Sequence, residues 1–332
     1  MNTQILSGSD ESHLDLFVDS LRQGLPIAVP TETVYGLAAP ATDESALEQI
    51  YKIKGRPLND PLILHIADPS WLSTWATDFD PGIVAKLAEM FWPGPLTLVL
   101  KKQDQVPDLA TAGLPTAGFR IPRHPDFLEI IQRCRVPLAA PSANPFSYIS
   151  PTRAEHVLAT LGGQIPYIVD GGPCEEGIES TILDLSNPEH PKILRPGPIA
   201  SEDIAKVLNT ESLAALPKKP ESHAQLAPGN FSKHYAPRKP ISATSVGDRH
   251  PFTQKDALLF CRPAQKFNPQ GPAKSFNLGD PSDIRAIRRN LYHTLNSLDA
   301  DTSVERIFLV DWPNTFNDPG LDDRVRRALS QG

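Results

Sequence analysis

The sequence predicts an α/β protein with two domains. Residues 26–66 read as a strand, a polar loop, a helix, a basic loop and a second strand, which is the alternation typical of α/β folds. The chain has 332 residues and is therefore long enough for two hydrophobic cores. Residues 209–227 are rich in proline and low in hydrophobicity, as linkers are. We therefore expect a larger domain that ends near residue 208 and a small α/β unit after the linker.

The first elements follow from the spacing of apolar residues and from capping residues. Apolar residues repeat at helical spacing from Leu14 to Leu21, and Gly24 can end that helix before a strand at 27–29. A second helix is expected after Thr42, which can cap it, and Gly55 supplies its end.

The later elements are predicted by apolar runs and helical periodicity. Strands are expected at 62–66, 95–101, 119–122, 136–140, 165–170, 179–185, 257–261 and 306–310. Helices are expected at 81–92, 126–134, from Thr152 onward, at 199–208 and, by its apolar face, at 284–298. Gly171 and Gly172 could form a hairpin turn between the strands at 165–170 and 179–185.

Polar side chains follow the strand at 27–29. Thr31, Glu32 and Thr33 fall at its C-terminal end, and in open α/β sheets such ends line the ligand crevice. The sequence therefore predicts a binding site beside this loop.

Cations stand at two further loop positions. Lys54 and Arg56 lie where the second helix ends, and two fixed cations predict a bound anion such as phosphate. The alternative is that they only complement the helix dipole. Arg195 ends another strand and is the third candidate for phosphate binding.

Two residues in apolar strands leave alternatives open. Arg120 is costly to bury alone, so it is expected to meet a carboxylate, either of the protein or of a ligand. His65 lies in Leu64-His65-Ile66 and is either a core histidine with satisfied hydrogen bonds or a ligand contact.

A polar loop follows the strand at 136–140. Small residues around Ser142 and Asn144 allow a ligand to approach the backbone, while both side chains supply donors and acceptors suited to a nucleotide. The alternative is a simple Ser or Asn turn at a strand end. The next helix is expected to have a capping box formed by Thr152 and Glu155, and its free amides could bind phosphate.

Charge and cysteine content restrict the function. The net charge of −7, from 39 acidic and 32 basic residues, gives no global field that would attract nucleic acid. Cys134, Cys174 and Cys261 are far apart, which argues against a disulfide framework or a zinc site and favours a reducing cytosol. Cys174 is expected to be a packed thiol without a catalytic role.

The N-terminal residues lack the pattern of a signal peptide, and no apolar run approaches the ~18 residues of a membrane span. A cytoplasmic protein without a membrane contact is therefore expected.

Several motifs occur in an order that closely resembles the Sua5/YrdC family of threonylcarbamoyl-AMP synthases. The resemblance covers roughly residues 10–205. Its motifs are Pro30-Thr31-Glu32-Thr33-Val34-Tyr35-Gly36-Leu37, Lys54-Gly55-Arg56-Pro57 with Pro61-Leu62 and His65, Pro141-Ser142-Ala143-Asn144, Glu179-Ser180-Thr181 and Leu194-Arg195-Pro196-Gly197. A further motif, Pro228 to Pro237, indicates the longer Sua5-type form.

The resemblance refines the predicted architecture. It implies a YrdC-like catalytic domain over residues 1–208, built on a twisted mixed sheet with helices. It also implies a linker over 209–239 that folds over the active site, and a smaller Rossmann-like α/β Sua5 domain over 240–332.

The resemblance also implies a reaction. L-threonine, bicarbonate and ATP would give threonylcarbamoyl-AMP and pyrophosphate, so the protein would be a nucleotidyltransferase. A separate transferase would then move the threonylcarbamoyl group to the adenosine of tRNA next to the anticodon. Mg²⁺ is expected with the ATP phosphates rather than on protein side chains, no organic cofactor is expected, and weak tRNA contact is possible.

Site residues follow from the resemblance position by position. Lys54 and Arg56 are the expected catalytic residues, since they would neutralise phosphate charge. The residues expected to contact threonine are Thr33, His65, Arg120, Ala140 through its backbone, and Ser180. The residues expected to contact ATP are Lys54, Arg56, Asp60, Thr116, Ser142, Asn144, Ser150, Arg195 and Tyr235.

Asp60 departs from the family pattern. Relatives commonly carry Asn here, and the extra negative charge would repel a triphosphate unless Mg²⁺ or Lys54 intervenes. A Gly-rich Walker loop is also absent from the sequence, so phosphate binding would depend on side chains and dispersed amides.

Two other functions remain as alternatives. A carbamoyl-adenylate-forming module of hydrogenase maturation is similar, but it carries paired Cys-x-x-Cys motifs that this sequence lacks. An RNA-binding module without catalysis would need a basic, aromatic-bearing face, which 7% aromatic residues and a net charge of −7 do little to support.

The segment 228–237 has two interpretations. Its Gly, Lys, His, Tyr and Pro content is unusual for a spacer, and the resemblance implies that Tyr235 covers the nucleotide as part of a lid. Alternatively, His234 and Tyr235 only anchor the C-terminal domain.

Overall fold

Short, buried strands form two separate sheets in this computed structural model, which describes residues 2–211, 213–215, 234–245, 252–261, 273–312 and 318–330. The strands are β1 (Gln4–Ser7), β2 (Ile27–Val29), β3 (Gly36–Pro40), β4 (Ile63–His65), β5 (Ala76–Thr77), β6 (Leu96–Lys102), β7 (Thr116–Arg120), β8 (Leu138–Ala139), β9 (Tyr167–Asp170), β10 (Thr181–Asp184), β11 (Lys192–Arg195), β12 (Ala214–Ala215), β13 (Ile241–Thr244), β14 (Asp256–Phe260), β15 (Lys274–Asn277) and β16 (Arg306–Val310). Residues 2–215 and 234–330, as far as they are described, are called the larger unit and the C-terminal unit below.

Helices cover both sheets. They are α1 (Glu11–Arg22), α2 (Glu44–Lys54), α3 (Leu72–Trp75), α4 (Pro81–Phe91), α5 (Asp108–Thr111), α6 (Pro125–Cys134), α7 (Ala154–Leu161), α8 (Ser201–Leu208), α9 (Ile284–Ala300) and α10 (Pro319–Leu329), and Pro69–Trp71 forms a 3₁₀ turn. None of the helices in the described part of the chain combines the length and apolar character that a bilayer span requires.

The larger unit has the expected mixed sheet. Its twelve strands follow the order β1-β9-β2-β3-β8-β4-β7-β6-β10-β11-β12, with β5 paired to β6. β4 runs parallel to β7 but antiparallel to β8, so the sheet mixes both strand directions at its centre. This confirms the α/β fold class.

The C-terminal unit is a smaller α/β layer. Its four strands follow the order β13-β16-β14-β15, and all three pairings are parallel. Buried residues of α9, such as Ile287, Leu291 and Leu295, pack in the same core as Ile307 of β16. This arrangement agrees with the Rossmann-like unit expected after the linker.

One hydrophobic core joins the two units. Val34, Ile149 and Ile178 of the larger unit pack in the same cluster as Tyr235 and Tyr292. β12 also lies within the predicted linker and pairs with β11, so part of this segment extends the larger sheet. The domain boundaries at 208 and 239 stay a prediction, because most of the segment between them lies outside the described residues.

The predicted start of helix α2 is wrong, whereas its predicted end is confirmed. Helix α2 is capped by Asp43 rather than Thr42, because the Asp43 side chain accepts from the amides of Ser45 and Ala46. Gly55 ends the helix as predicted, with φ of 60° in the left-handed region that glycine favours.

The expected capping box at the next site does not form. Helix α7 begins at Ala154 after Arg153, without a side-chain cap. The Thr152 amide donates instead to Nδ1 of His156, which lies one helical turn later, at 3.2 Å.

The hairpin alternative for Gly171 and Gly172 is also wrong. β9 pairs with β1 and β2, whereas β10 pairs with β6 and β11. The two strands therefore lie in different parts of the sheet, and the segment between them crosses the molecule near the pocket described next.

Candidate active site

A partly buried pocket opens where several strands of the larger unit end. It encloses about 550 Å³ of space, including its open mouth. It is lined by Thr31, Thr33, Val34, Gly36, Arg56, Ile63, His65, Arg120, Ala140, Pro141, Ser142, Glu179, Ser180, Arg195, His234 and Tyr235. Segments from β2 to the approach to β13 thus contribute to one cavity, and nine of the predicted site residues line it: Thr33, Arg56, His65, Arg120, Ala140, Ser142, Ser180, Arg195 and Tyr235.

The loop after β2 is fixed by its own hydroxyl groups. Thr31 Oγ1 accepts from the amides of Thr33 and Val34, at 3.0 and 3.1 Å, and donates to the carbonyl of Val34 at 2.7 Å. Such local bonds hold a Ser or Thr turn rigid. Thr33 Oγ1 lies 2.8 Å from Thr31 Oγ1, so its position at the pocket wall is determined.

Arg120 ends β7 and pairs with a carboxylate of the protein. Its Nη2 lies 2.8 Å from Oε1 of Glu32 and donates to Thr33 Oγ1 at 3.0 Å. Its Nε donates to the carbonyl of Gly94 at 3.2 Å. Of the two alternatives from the sequence, the protein carboxylate is therefore present, and the contact with a threonine carboxylate stays a prediction.

His65 is buried against the pocket with an unusual environment. Among the described residues, neither ring nitrogen has a partner in good hydrogen-bond geometry, and the ring lies 5.2 Å from that of Phe127. Burial, followed by the charge of Arg120, lowers the pKa of His65 to about 3, which the nearby backbone of Ile63 and Leu138 offsets only in part. The ring lines the pocket, which favours the ligand contact over the alternative of a core histidine, and the contact with threonine stays a prediction.

The loop after β8 lies close against β3. Gly36 forms an antiparallel bridge with Ser142, and a Cβ added at Gly36 would lie 3.1 Å from Cβ of Ala140. Ala140 donates its amide to the carbonyl of Ile63 at 3.1 Å. The small residues at these positions therefore bring main-chain groups to the pocket wall, as the sequence predicted.

Lys54 supports this loop from behind. Its Nζ donates to the carbonyls of Ser142 and Asn144, at 2.5 and 2.6 Å, and the side chain is not among the pocket-lining residues. Burial, followed by the charge of Arg56, holds the pKa of Lys54 well below its ordinary value. The structure thus gives Lys54 a positioning contact, while its phosphate contact stays a prediction.

Arg56 and Asp60 form a buried ion pair. Arg56 Nη2 lies 2.8 Å from Oδ2 of Asp60 and donates to the carbonyl of Pro61 at 2.7 Å, while Nε donates to the carbonyl of Asp60 at 3.1 Å. Arg56 is therefore an ion-pair partner for the charge of Asp60. Arg56 lines the pocket, whereas Asp60 lies behind it.

Thr116 is placed at the opposite end of β7 from Arg120. It does not line the pocket, but the register that pairs Ile63 with Gly118 puts Thr116 level with Pro61, which Arg56 contacts. Its predicted contact with ATP stays a prediction.

Asn144 and Ser150 are buried beside the pocket and hold neighbouring segments. Asn144 Nδ2 donates to the carbonyls of Pro145 and Tyr148, at 2.8 and 3.0 Å. Ser150 Oγ donates to Oε1 of Glu179 at 2.5 Å. Neither residue lines the pocket, and their predicted contacts with ATP stay predictions.

Ser180 and Arg195 lie together on the other wall. Arg195 Nε and Nη2 donate to the carbonyl and to Oγ of Ser180, both at 3.1 Å. Ser180 Oγ also lies 2.8 Å from Thr97 Oγ1. Burial lowers the pKa of Arg195 without removing its charge at neutral pH.

The segment at 234–237 contributes His234 and Tyr235 to the pocket lining, and Tyr235 also joins the C-terminal core. Tyr235 is 1% exposed and has a φ of 63°, and its hydroxyl has no hydrogen-bond partner among the described residues. Ala236 donates its amide to the carbonyl of Ser147 at 3.1 Å, which fastens the segment to the larger unit. Tyr235 therefore makes the packing contacts of the anchor interpretation and also lines the pocket, while its role in a lid over the nucleotide stays a prediction. Residues 228–233 of the motif lie outside the described residues.

Sequence reasoning assigned no role to several residues at the site. Glu179 and Gly36 line the pocket and stand within motifs quoted from the sequence, but neither had a role there. Arg324 had no sequence signal, since it contacts Glu179 from a helix 145 residues away.

Comparisons with known proteins agree with this geometry. A family model described as "Telomere recombination" (Sua5_yciO_yrdC) matches residues 19–197, and one described as "Threonylcarbamoyl-AMP synthase, C-terminal domain" matches residues 199–330.

Two curated relatives and one solved structure are similar over most of the chain. A threonylcarbamoyl-AMP synthase of Pyrococcus abyssi is 39% identical over 287 residues, which cover 84% of this chain and 83% of the relative. That of Bacillus subtilis is 44% identical over 227 residues, 67% of this chain and 64% of the relative. The crystal structure of Pyrococcus abyssi Sua5 complexed with L-threonine matches with a TM-score of 0.85 and 33% identity, over 99% of this chain and 97% of the other.

Proposed function

Since the chain belongs to the Sua5/YrdC family of threonylcarbamoyl-AMP synthases, we propose that it makes threonylcarbamoyl-AMP and pyrophosphate from L-threonine, bicarbonate and ATP. It is an enzyme, and the proposed reaction class is nucleotidyl transfer. The observation that carries the proposal is that Arg56, Arg120 and Arg195, from three separate segments, line one buried pocket.

The proposed threonine site uses the wall around Arg120. The guanidinium would bind the threonine carboxylate, while Thr33, Ser180 and the main chain of Ala140 supply polar atoms at the same cavity. His65 stays neutral there, so it offers one donor and one acceptor rather than a charge that would repel an ammonium group.

The proposed ATP site uses the remaining walls. Arg56 and Arg195 would neutralise phosphate oxygens, and Tyr235 brings to the same pocket a hydroxyl that has no partner in the described part of the chain. Ser142 is held in place by Lys54. Thr116, Asn144 and Ser150 do not line the pocket and would act on ATP by supporting these residues, whereas the Asp60 carboxylate would compete with the phosphates for Arg56.

The reaction proceeds in two steps in this proposal. The amine of threonine first takes up bicarbonate as a carbamate with loss of water. A carbamate oxygen then attacks the α-phosphorus of ATP, the bond to the β-phosphate breaks, and pyrophosphate leaves. Holding two anions in line is the main task of the protein, and it is what buried arginines achieve by orientation and charge neutralisation.

Mg²⁺ would bind through the ATP phosphates and lower their negative charge. Among the described residues, no group of three His, Cys, Asp or Glu side chains is arranged to hold a metal ion. The carboxylates Glu32, Asp60 and Glu179 are each paired with an arginine. Because these carboxylates already have arginine partners, we propose that the nucleotide carries the metal.

The biological setting is part of the same proposal. The product would pass to a transferase that modifies the tRNA adenosine next to the anticodon, and tRNA contact with this protein would be weak. The cytoplasmic location predicted from the sequence stays a prediction.

The proposal is tested by measuring pyrophosphate release. Release should require ATP, L-threonine and bicarbonate together, because the nucleophile is the carboxylated amine and not threonine's own carboxylate. L-serine in place of L-threonine is the matched control for the substrate. Equal release from threonine and ATP in carbonate-depleted buffer would indicate aminoacyl-adenylate formation and exclude the proposed reaction.

A further inference from the structure

A buried arginine of the C-terminal unit contacts the wall of the pocket. Arg324 lies on α10 and is fully buried, and its Nε donates to Oε2 of Glu179 at 2.6 Å. Nη2 of the same guanidinium donates to the main-chain carbonyl of Glu179 at 3.3 Å. One side chain therefore holds both the carboxylate and the backbone of a pocket-lining residue.

The other contacts of this guanidinium reach two more segments. Its Nη1 donates to the carbonyl of Pro196 at 3.1 Å and to Oδ2 of Asp323 at 3.1 Å. Its central carbon lies 5.1 Å from the ring centroid of Tyr235, within the range of a cation–π contact. Arg324 thus joins the segments before β10, after β11 and before β13.

Each contact adjoins a residue of the proposed substrate site. Glu179 directly precedes Ser180 and accepts a hydrogen bond from Ser150 at 2.5 Å. Pro196 directly follows Arg195 in the chain. Tyr235 itself lines the pocket, whereas Arg324 does not.

We propose that Arg324 is a positioning residue for the ATP part of the pocket, through which the C-terminal unit fixes Glu179, Arg195 and Tyr235. This inference rests on the proposed synthesis of threonylcarbamoyl-AMP. It gives the C-terminal unit a direct effect on the site, beyond the support of the preceding linker.

The charge of Arg324 also sets the state of Glu179. Burial alone would raise the pKa of Glu179, but the charges of Arg324 and Arg195, with the Ser150 hydrogen bond, hold it below its ordinary value. The carboxylate therefore stays ionised and keeps accepting from Ser150. Without Arg324, Glu179 would face the nucleotide pocket with less compensation for its charge.

Only arginine suits this position. The planar guanidinium donates in several fixed directions, to Glu179 Oε2, Glu179 O and Pro196 O at once. Lysine carries the same charge on a compact ammonium group, so Arg324→Lys keeps the charge and loses the simultaneous contacts. This substitution separates geometry from charge.

Arg288 provides a matched control. It also joins the two units, since it lies on α9 and its Nη1 donates to the carbonyl of Pro198 at 3.3 Å. Its Nε donates to Asp318 at 2.5 Å, and Glu176 lies 3.9 Å from Nη1. Arg288 does not line the pocket, so Arg288→Gln weakens docking of the units by removing contacts other than those of Arg324.

The experiment compares both variants of the full chain with the parent protein. The KM values for ATP and L-threonine are measured from pyrophosphate release, ATP binding by calorimetry, and melting temperatures by circular dichroism. We expect Arg324→Lys to raise the ATP KM about tenfold or more and the threonine KM by less, whereas Arg288→Gln leaves both within about twofold.

The outcomes separate this inference from the proposed function. If the parent protein releases no pyrophosphate with all three substrates present, the proposed function is wrong. In that case, equal ATP binding by the parent and by Arg324→Lys would contradict this inference as well. With an active parent, an unchanged ATP KM in Arg324→Lys, or parallel losses in both variants that follow their melting temperatures, overturns the inference.

If Arg324→Lys does not fold, Glu179→Gln breaks the same bridge from the other side. A raised ATP KM in that variant supports the inference, and an unchanged one overturns it.

Discussion

At the scale of single residues, the ionised side chains around the pocket are held by partners from the chain itself. Arg120 is paired with Glu32, and Arg56 with Asp60. Buried charges are tolerated only with such partners, since an unpaired ion in a low-dielectric interior is strongly unfavourable. Substitutions at these pairs should therefore alter substrate binding and stability in different ways.

Asp60→Asn should improve ATP binding. Removing the carboxylate takes away a negative charge beside the proposed phosphate site and releases Arg56 from its ion pair. A charge interaction of about 1 kcal/mol would lower the ATP KM roughly fivefold. Pyrophosphate release at varied ATP measures this, with Asp108→Asn, which removes an exposed carboxylate on α5, as the control. A higher ATP KM in Asp60→Asn would show that the carboxylate assists nucleotide or Mg²⁺ binding.

His65 should make the stability of the fold depend on pH. Its pKa is lowered from 6.5 to about 3 on folding, so the unfolded state binds the proton more readily. Its contribution is complete above pH 6.5 and is lost as the pH falls towards 3. Between pH 7 and pH 5 the parent protein should lose about 2 kcal/mol more unfolding free energy than His65→Gln. Urea unfolding of both proteins at the two pH values tests this, and equal losses would contradict a buried neutral imidazole.

The sequence predicted residues of the pocket better than it predicted their partners. Arg120 was expected to need a carboxylate, yet the choice of Glu32 depends on how β7 lies beside the loop after β2. Lys54 was expected at phosphate, but the end of α2 faces the carbonyls of Ser142 and Asn144. Lys54 and Asn144 are 90 residues apart in the sequence. Contacts over such separations depend on the order of the strands in the sheet, which local sequence patterns do not predict.

At the scale of elements, the segment around Tyr235 combines two functions that can be separated by substitution. Its ring packs in the core that includes Tyr292 and lies against Arg324, while its hydroxyl is unpartnered among the described residues. Tyr235→Phe removes only the hydroxyl, whereas Tyr235→Ala also removes the packing.

Tyr235→Phe should therefore keep the melting temperature and raise the ATP KM. Loss of a hydrogen bond to a charged group weakens binding by roughly 1.5–3 kcal/mol, or about tenfold or more. Tyr235→Ala should in addition lose about 3–5 kcal/mol of unfolding free energy, as large-to-small core substitutions do. Calorimetry of ATP binding and thermal melts distinguish the two, and wild-type ATP affinity in Tyr235→Phe would leave the residue with an anchoring role alone.

Elements with strong periodicity were predicted well, and so were the short strands β2, β4 and β8, whereas strand β3 was not predicted. Helix α1 and strand β6 follow directly from apolar spacing. Strand β3 is not predicted from the sequence, because Gly-Leu-Ala-Ala-Pro has low strand propensity. It forms because β2 and β8 pair with it on both sides, and this tertiary pairing outweighs the local preference.

At the scale of the whole molecule, the two units meet through backbone as well as side chains. A Cβ added at Gly177 would lie 2.5 Å from the carbonyl oxygen of Arg288 and 2.5 Å from Cα of Arg289. The φ of Gly177 is 72°, which a side chain would strain. Helix α9 can approach the loop before β10 this closely only because that residue is glycine.

Gly177→Ala should separate the units slightly and impair both stability and ATP binding. We expect a loss of at least about 1 kcal/mol from backbone strain alone, and a raised ATP KM because Glu179 lies two residues further on. Gly113→Ala is the matched control, since Gly113 also has a positive φ, of 77°, but has open space around its Cβ position. Equal effects of the two substitutions on the ATP KM would show that contact between the units does not influence the site.

The pairing of the pocket arginines has a consequence for how fast substrates arrive. The charges of Arg56 and Arg120 are cancelled close by, and the chain as a whole carries −7, so little positive field extends into solvent to draw in ATP. The arginines can attract ATP only over a few ångströms, which is shorter than the screening length of ~8 Å in physiological salt. Encounter with the nucleotide is thus governed by diffusion, and added salt should not slow it as it slows proteins that capture polyanions from a distance.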